Sequence, residues 1–167
     1  MNYHDIKKCD MLNGDGIRVS LWVSGCEHNC NQCQNPQTWD VNSGIAFDKD
    51  AEEELFEVLG KDYISGITFT GGDPLYENNI EDVLNLVNKI RILLPEKTIW
   101  LYTGYDWITI INDPKKKEIA LNCDVIVDGQ YIDELRDITL KWRGSSNQRV
   151  IDVKKSMVEE KIILYEI

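Results

Sequence analysis

The chain has 167 residues, 43% of them apolar, with 29 acidic against 18 basic side chains and a net charge of −11. That size and composition suit one domain, residues 1–167, with a real core, and exclude a disordered chain. The acidity excludes free duplex nucleic acid as a partner, because phosphates are held by clustered Lys and Arg.

The elements follow in chain order. Met1 to Lys8 is charged and lacks the apolar core of a secretory signal. Ile17 to Ser24 is apolar and β-branched and predicts a first strand. Gly25 to Trp39 is a polar, cysteine-rich loop. Lys49 to Leu59 sets Ala51, Leu55, Val58 and Leu59 at helical spacing among acids. Gly66 to Thr70 predicts a second strand, ended by Gly71-Gly72-Asp73-Pro74. Ile80 to Leu94 is a helix that Pro95 stops. Thr98 to Thr103 is a third strand. Asp106 to Leu121 is helical with an interruption near Asp113-Pro114, and Asp124 to Val127 is a fourth strand. Gln148 to Val153 and Lys161 to Tyr165 are candidate edge strands. Lys115-Lys116-Lys117 reads as a solvated loop or helix start after Pro114. No apolar run is long enough to cross a bilayer, so no membrane association and a cytoplasmic location are expected.

Strands alternating with helices predict right-handed βαβ units and a mostly parallel sheet in the α/β class. A closed eight-fold barrel usually needs ~250 residues. The expectation is therefore a single-domain partial, open βα barrel. Its site belongs at the carboxyl ends of the strands, where the cysteine loop and the Gly-Gly-Asp-Pro turn share one rim.

Three of the five cysteines, Cys26, Cys30 and Cys33, fall within eight residues in a Cys-x3-Cys-x2-Cys spacing. Such crowding points to metal or redox chemistry. Iron–sulfur clusters take thiolates at short spacings, and three local ligands leave one iron of a four-iron cluster open to a substrate amine and carboxylate. Two alternatives stand beside this. A closed electron-transfer cluster would recruit Cys9 or Cys123. A structural zinc site would take His28, Cys9 or Cys123 as its fourth ligand. In the glycine turn, Gly71 and Gly72 allow positive φ and close backbone approach to a ligand. Asp73 either serves that ligand or lies near the start of the next helix.

The cysteine spacing after a first strand resembles the radical S-adenosylmethionine superfamily. The resemblance narrows to the activating proteins of anaerobic (class III) ribonucleoside-triphosphate reductases through several further segments. These are Asn13-Gly14-Asp15-Gly16, Val23-Ser24-Gly25-Cys26, Asn35, Thr38-Trp39, Gly71 through Leu75, Trp100 through Tyr105, Val127-Asp128-Gly129 and Trp142 through Gln148. It implies one [4Fe–4S] cluster on Cys26, Cys30 and Cys33. It also implies S-adenosyl-L-methionine held around Gln32, Cys33, Gln34, Gly72 and Asp73, with the glycine turn on the methionyl amine. An aromatic residue often precedes the third cysteine in that superfamily and packs near the adenine; here the position is Gln32.

The implied activity is reductive cleavage of S-adenosylmethionine to a 5′-deoxyadenosyl radical. An external one-electron donor such as flavodoxin supplies the electron. The radical takes hydrogen from a glycine of the large catalytic subunit of the anaerobic ribonucleotide reductase. Hydrogen abstraction needs no acid–base dyad, and none is evident in the chain. Alternatives are an activase of another glycyl-radical enzyme, a small radical enzyme acting on a free metabolite, an electron carrier or a zinc-binding module. Cys9 and Cys123 read as buried or bystander thiols. Trp22, Trp100 and Trp107 read as core aromatics, and so do Trp39 and Trp142, although these two could also meet a partner. Asp128 either caps a turn or touches the cofactor.

Overall fold

The structure, a computed structural model, describes residues 1–166. Seven strands form one open sheet in the order β3-β1-β2-β4-β5-β6-β7. The strands are β1 (Asn2–Asp10), β2 (Arg18–Val23), β3 (Ile45–Ala46), β4 (Gly66–Gly71), β5 (Thr98–Tyr102), β6 (Val125–Asp128) and β7 (Arg149–Asp152). The central four, β2, β4, β5 and β6, run parallel, while β1, β3 and β7 add antiparallel edges. The expected open βα architecture is observed.

The helices form where capping and periodicity place them. In α1 (Lys49–Leu59), the Asp48 carboxylate accepts from the Ala51 amide, and Ala51, Leu55, Val58 and Leu59 are buried. α2 (Ile80–Leu93) buries Ile80, Val83, Leu86, Val87 and Ile90. The expected interruption divides α3 (Trp107–Asn112) from α4 (Pro114–Leu121). Pro114 pushes Asp113 into extended backbone (φ −102, ψ 121), and the Asp113 side chain then caps α4 by accepting from the Lys115 and Lys116 amides.

The sequence signals miss the strands β1 and β3, the short helix α5 (Val153–Glu159) and two single-turn 3-10 helices, Pro36–Thr38 and Asp133–Leu135. In the stretch Lys161 to Tyr165, only Leu164 bridges, to Ile151. That segment forms no full strand.

Alternation along the strands divides the sheet into two faces. One carries Val19, Leu21, Ile67, Phe69, Ile99, Leu101 and Ile126, packed with Leu55, Val83 and Ile90 of the helices in a continuous core. The other is polar and aromatic. Trp22 stands opposite Thr70, and Tyr102 opposite Val127, while Trp100 packs with Trp142 and Tyr165. At the amino end of the parallel strands this second face is floored by Arg18, 1% exposed. Its guanidinium donates to Thr68 Oγ1, Thr98 Oγ1 and the Asp15, Ile67 and Thr98 carbonyls. The floor closes one end, so the opening lies at the carboxyl ends of the strands.

Candidate functional site

A cleft of about 510 Å³ lies over the polar face. Cys26, Cys30, Cys33 and Gln34 form one wall, Gly72 and Asp73 a second, and Tyr131, Trp142 and Gly144 a third. The sequence-derived candidates thus converge, with one exception: Gln32 is exposed, lies outside the lining, and carries a left-handed φ of 61°.

The cysteine loop is fixed at its root. Gly25 and Cys26 donate their amides to the Thr38 and Trp39 carbonyls (2.6 and 3.1 Å). The Cys33 amide donates to the Cys30 carbonyl (3.1 Å) and the Asn35 amide to Cys33 Sγ (3.4 Å). Burial pushes the Cys26 thiol up to about 12 and raises Cys30 as well. A cation entering here displaces protons from these sulfurs, which is how thiolate metal sites load. Neither remaining cysteine lines the cleft. Cys9 is exposed on β1, and Cys123 is buried, its Sγ donating to the Ile119 carbonyl. Among the described residues no fourth cysteine lines the cleft. The donor set fits a cluster with one iron left open.

The glycine turn makes its close approach to protein. Gly71 has φ 98°. A Cβ on Gly72 would stand 2.5 Å from the Gly25 carbonyl oxygen and 3.0 Å from the Gly25 carbon and nitrogen. Gly72 donates its amide to Val23 (2.8 Å), and Asp73 donates to Gly25 (2.7 Å). The turn and the root of the cysteine loop are therefore one packed unit.

Asp73 is 1% exposed, and its carboxylate is heavily engaged. It accepts from the Leu75 amide (2.9 Å), Thr103 Oγ1 (2.9 and 3.0 Å), the Gly104 amide (2.9 Å) and His28 Nε2 (2.6 Å). Cys26, His28 and Asp73 bring their ligating atoms within 4.8 Å of one another.

A family model described as a 4Fe-4S single cluster domain matches residues 12–151. The chain is 47% identical over 150 residues to the anaerobic ribonucleoside-triphosphate reductase-activating protein of Enterobacteria phage T4, covering 90% of this chain and 93% of that one. It is 44% identical over 152 residues to the protein of the same name from Escherichia coli K12, covering 90% and 97%. The chain belongs to the anaerobic ribonucleoside-triphosphate reductase-activating protein family.

Within that family frame, the segment Trp142 through Gln148 has a visible structural task. The Gln148 side chain accepts from the Gly144 and Ser145 amides and donates to the Gly129 carbonyl. Arg143 donates to the Gln148 and Ser146 carbonyls, and Asn147 to the Gln130 carbonyl. These bonds fold residues 130–148 into a strap that walls the cleft. Asp128 lies outside the cleft lining. It is buried, pairs with Arg149 (2.6 Å) and accepts from the Trp107 amide (2.9 Å), tying β6, β7 and α3 together. In sequence, His28 enters only as a possible fourth ligand of a zinc site. Its side chain is buried between Asp73 and Tyr105, whose ring centroid lies 4.6 Å away. Among the described residues no helix is long and apolar enough to cross a membrane.

Proposed function

We propose that residues 1–167 form one activase domain that cleaves S-adenosylmethionine and places a glycyl radical on the large catalytic subunit of the anaerobic ribonucleotide reductase. The observation that carries this reading is the single cleft wall formed by Cys26, Cys30 and Cys33, facing the Gly72–Asp73 turn with no fourth cysteine among the described residues of the lining. These three thiolates would hold a [4Fe–4S] cluster, which, reduced by an external donor such as flavodoxin, would supply the one electron needed to cleave S-adenosylmethionine at its S–C5′ bond into methionine and a 5′-deoxyadenosyl radical.

The protein's own contribution is orientation and enclosure. Gly72 and Asp73 border the methionyl end, and Asp73 contributes negative charge near its ammonium. Because that carboxylate already accepts four sets of protein donors, its larger task is to lock the turn to Thr103, Gly104 and His28. Gln34 and Cys33 border the same space, whereas Gln32 lies outside it. The strap from 130 to 148 screens the cleft from solvent on one side and leaves its mouth open to a polypeptide loop.

The test is spectroscopic. An anaerobically reconstituted, reduced sample should give a four-iron spin signal that changes on adding S-adenosylmethionine. With the reductase large subunit present, a glycyl-radical doublet should follow. A colourless zinc protein, or a cluster signal indifferent to S-adenosylmethionine, would end this reading.

A further inference from the structure

The peptide between the first two thiolates is held chiefly by side chains. Among the described residues, the only backbone–backbone hydrogen bond reaching Glu27–Gln32 runs from the Cys33 amide to the Cys30 carbonyl. His28, midway between Cys26 and Cys30, turns inward, its side chain 7% exposed. Its Nε2 stands 2.6 Å from the Asp73 carboxylate, and its Nδ1 3.3 Å from the Gln130 side-chain amide nitrogen. These partners assign the tautomer. A carboxylate only accepts, so the ring proton sits on Nε2, and Nδ1 is left to accept from Gln130. Both nitrogens are engaged by protein, which leaves neither free for a metal. The surroundings are cut to the ring. A Cβ on Gly104 would meet His28 Nε2 at 2.6 Å and Cγ at 2.8 Å, and Tyr105, packed edge-on against the imidazole, donates its hydroxyl to Glu27. Directly after His28, Asn29 takes a left-handed φ of 50°, which asparagine tolerates, and Cys30 returns to the cleft wall.

We infer that His28 is a positioning residue for radical formation: it clamps the middle of the cysteine loop to the glycine turn through Asp73 and to the strap through Gln130. The inference rests on the cofactor reading above and adds a residue that touches neither cluster nor cofactor. His28 follows β2, Asp73 follows β4, Gly104 and Tyr105 follow β5, and Gln130 follows β6. The segments leaving all four parallel strands therefore meet at one imidazole. Three thiolates on a short loop bind a cluster without fixing how that loop leans over the cleft. The bonds from Gly25 and Cys26 to Thr38 and Trp39 hold its root, and the His28 clamp holds its middle. Loosening the clamp leaves the ligands in place but lowers the fraction of chains whose loop stands correctly over the glycine turn. Apparent affinity for the cofactor falls by that fraction.

The experiment uses the cluster-loaded chain and three substitutions. In His28→Gln the side-chain amide nitrogen reaches toward the Nε2 position and keeps a donor for Asp73. In His28→Asn the shorter amide stops near the Nδ1 position and loses that bond. Gln130→Ala removes only the arm to the strap, because Asn147 bonds the Gln130 backbone carbonyl. Iron per chain should match wild type in all three. Titrating the reduced cluster's spin signal with S-adenosylmethionine should move its midpoint about ten- to hundred-fold in His28→Asn, which loses a charge-assisted bond. The shift should be about two- to ten-fold in His28→Gln and in Gln130→Ala, which keep that bond. In the cluster-free chain, amide exchange across Glu27–Gln32 should quicken in His28→Asn while α1 and α2 exchange as in wild type. A wild-type midpoint in His28→Asn overturns the inference. So do equal shifts in His28→Asn and His28→Gln, which would credit ring volume rather than the Asp73 bond, and iron loss in His28→Gln, which would make the imidazole a ligand. If His28→Asn does not fold, Gln130→Ala decides, its side chain being exposed; an unchanged midpoint there overturns the inference. A wild-type spin signal indifferent to S-adenosylmethionine sinks the cofactor reading itself, and this inference with it.

Discussion

Gly72→Ala tests whether the glycine turn and the cysteine loop behave as one unit. The added methyl would lie 2.5 Å from the Gly25 oxygen and 3.0 Å from the Gly25 carbon and nitrogen. All three are backbone atoms, so no side chain can swing aside, and the two segments must separate. Separation stretches the Gly72–Val23 and Asp73–Gly25 hydrogen bonds, now 2.8 and 2.7 Å. Two such bonds contribute ~1 kcal/mol each, and overpacking adds ~1–3 kcal/mol, for a total cost of about 3–5 kcal/mol. In a chain of this size each kcal/mol lowers the melting temperature by roughly 2–4 °C, so a fall of roughly 6–20 °C is expected. Because Gly25 directly precedes Cys26, iron retained per chain after anaerobic reconstitution should fall as well. Gly60→Ala is the control: Gly60 has φ −74°, and its added methyl would meet only the Phe56 carbonyl at 3.2 Å and the Glu57 carbonyl at 3.9 Å. Iron content and melting within about 2 °C of wild type in Gly72→Ala would refute the coupling and return the turn to a plain ligand-facing role.

Other expectations concern the cluster and the charges. Cys26→Ala, Cys30→Ala and Cys33→Ala should each lose the cluster, whereas Cys9→Ala and Cys123→Ala should keep four irons by colorimetric assay; iron loss in Cys9→Ala would mean a fourth protein ligand. Prolonged aeration should strip iron from the wild type, and full retention would argue against an open site. Asp73→Asn leaves at least one of its donors without an acceptor and should cost about 1–3 kcal/mol, read from the urea midpoint; an unchanged midpoint would contradict the anchoring role. Burial works against ionising Asp124, but bonds from Arg91, the Ile99 amide and Lys154 outweigh it and hold the carboxyl below its ordinary value. A depressed folded value stabilises above the unfolded pKa of about 3.9 and is lost as pH falls through the folded one. Asp124→Asn should therefore be less stable at neutral pH and lose less on acidification to about pH 3; parallel acid curves for variant and wild type would exclude this.

The parts of the fold legible in sequence were those with one strong signal each. α1 and α2 announce themselves by buried residues at helical spacing, and Pro114 marks its break because it cannot donate an amide. The central parallel strands show as short β-branched and aromatic segments ended by glycine or aspartate turns. β1 escaped because an antiparallel edge strand buries little. Only Tyr3, Ile6 and Asp10 are buried in Asn2–Asp10, and the rest is charged or polar. Its third buried position is an aspartate, which works by accepting from Ser20, Asn13 and the Leu12 amide, something no hydrophobic pattern signals. α5 is short, and its buried residues are only Val153 and Ser156, too few for a periodicity.

The site divides differently. Spacing located the thiolates, since ligands to one cluster must lie close in the chain when a single loop supplies them. It did not reveal His28, because a lone polar residue in a loop looks the same whether it points to solvent or inward. What brings His28 inward is Asp73, contributed from the end of a different strand, so the signal exists only once β2 and β4 are paired. The chain thus encodes its metal chemistry locally and its positioning chemistry through strand pairing. Substitutions of the cysteines should therefore act on cluster loading, whereas those on the strand faces should act on what the loaded cleft can hold.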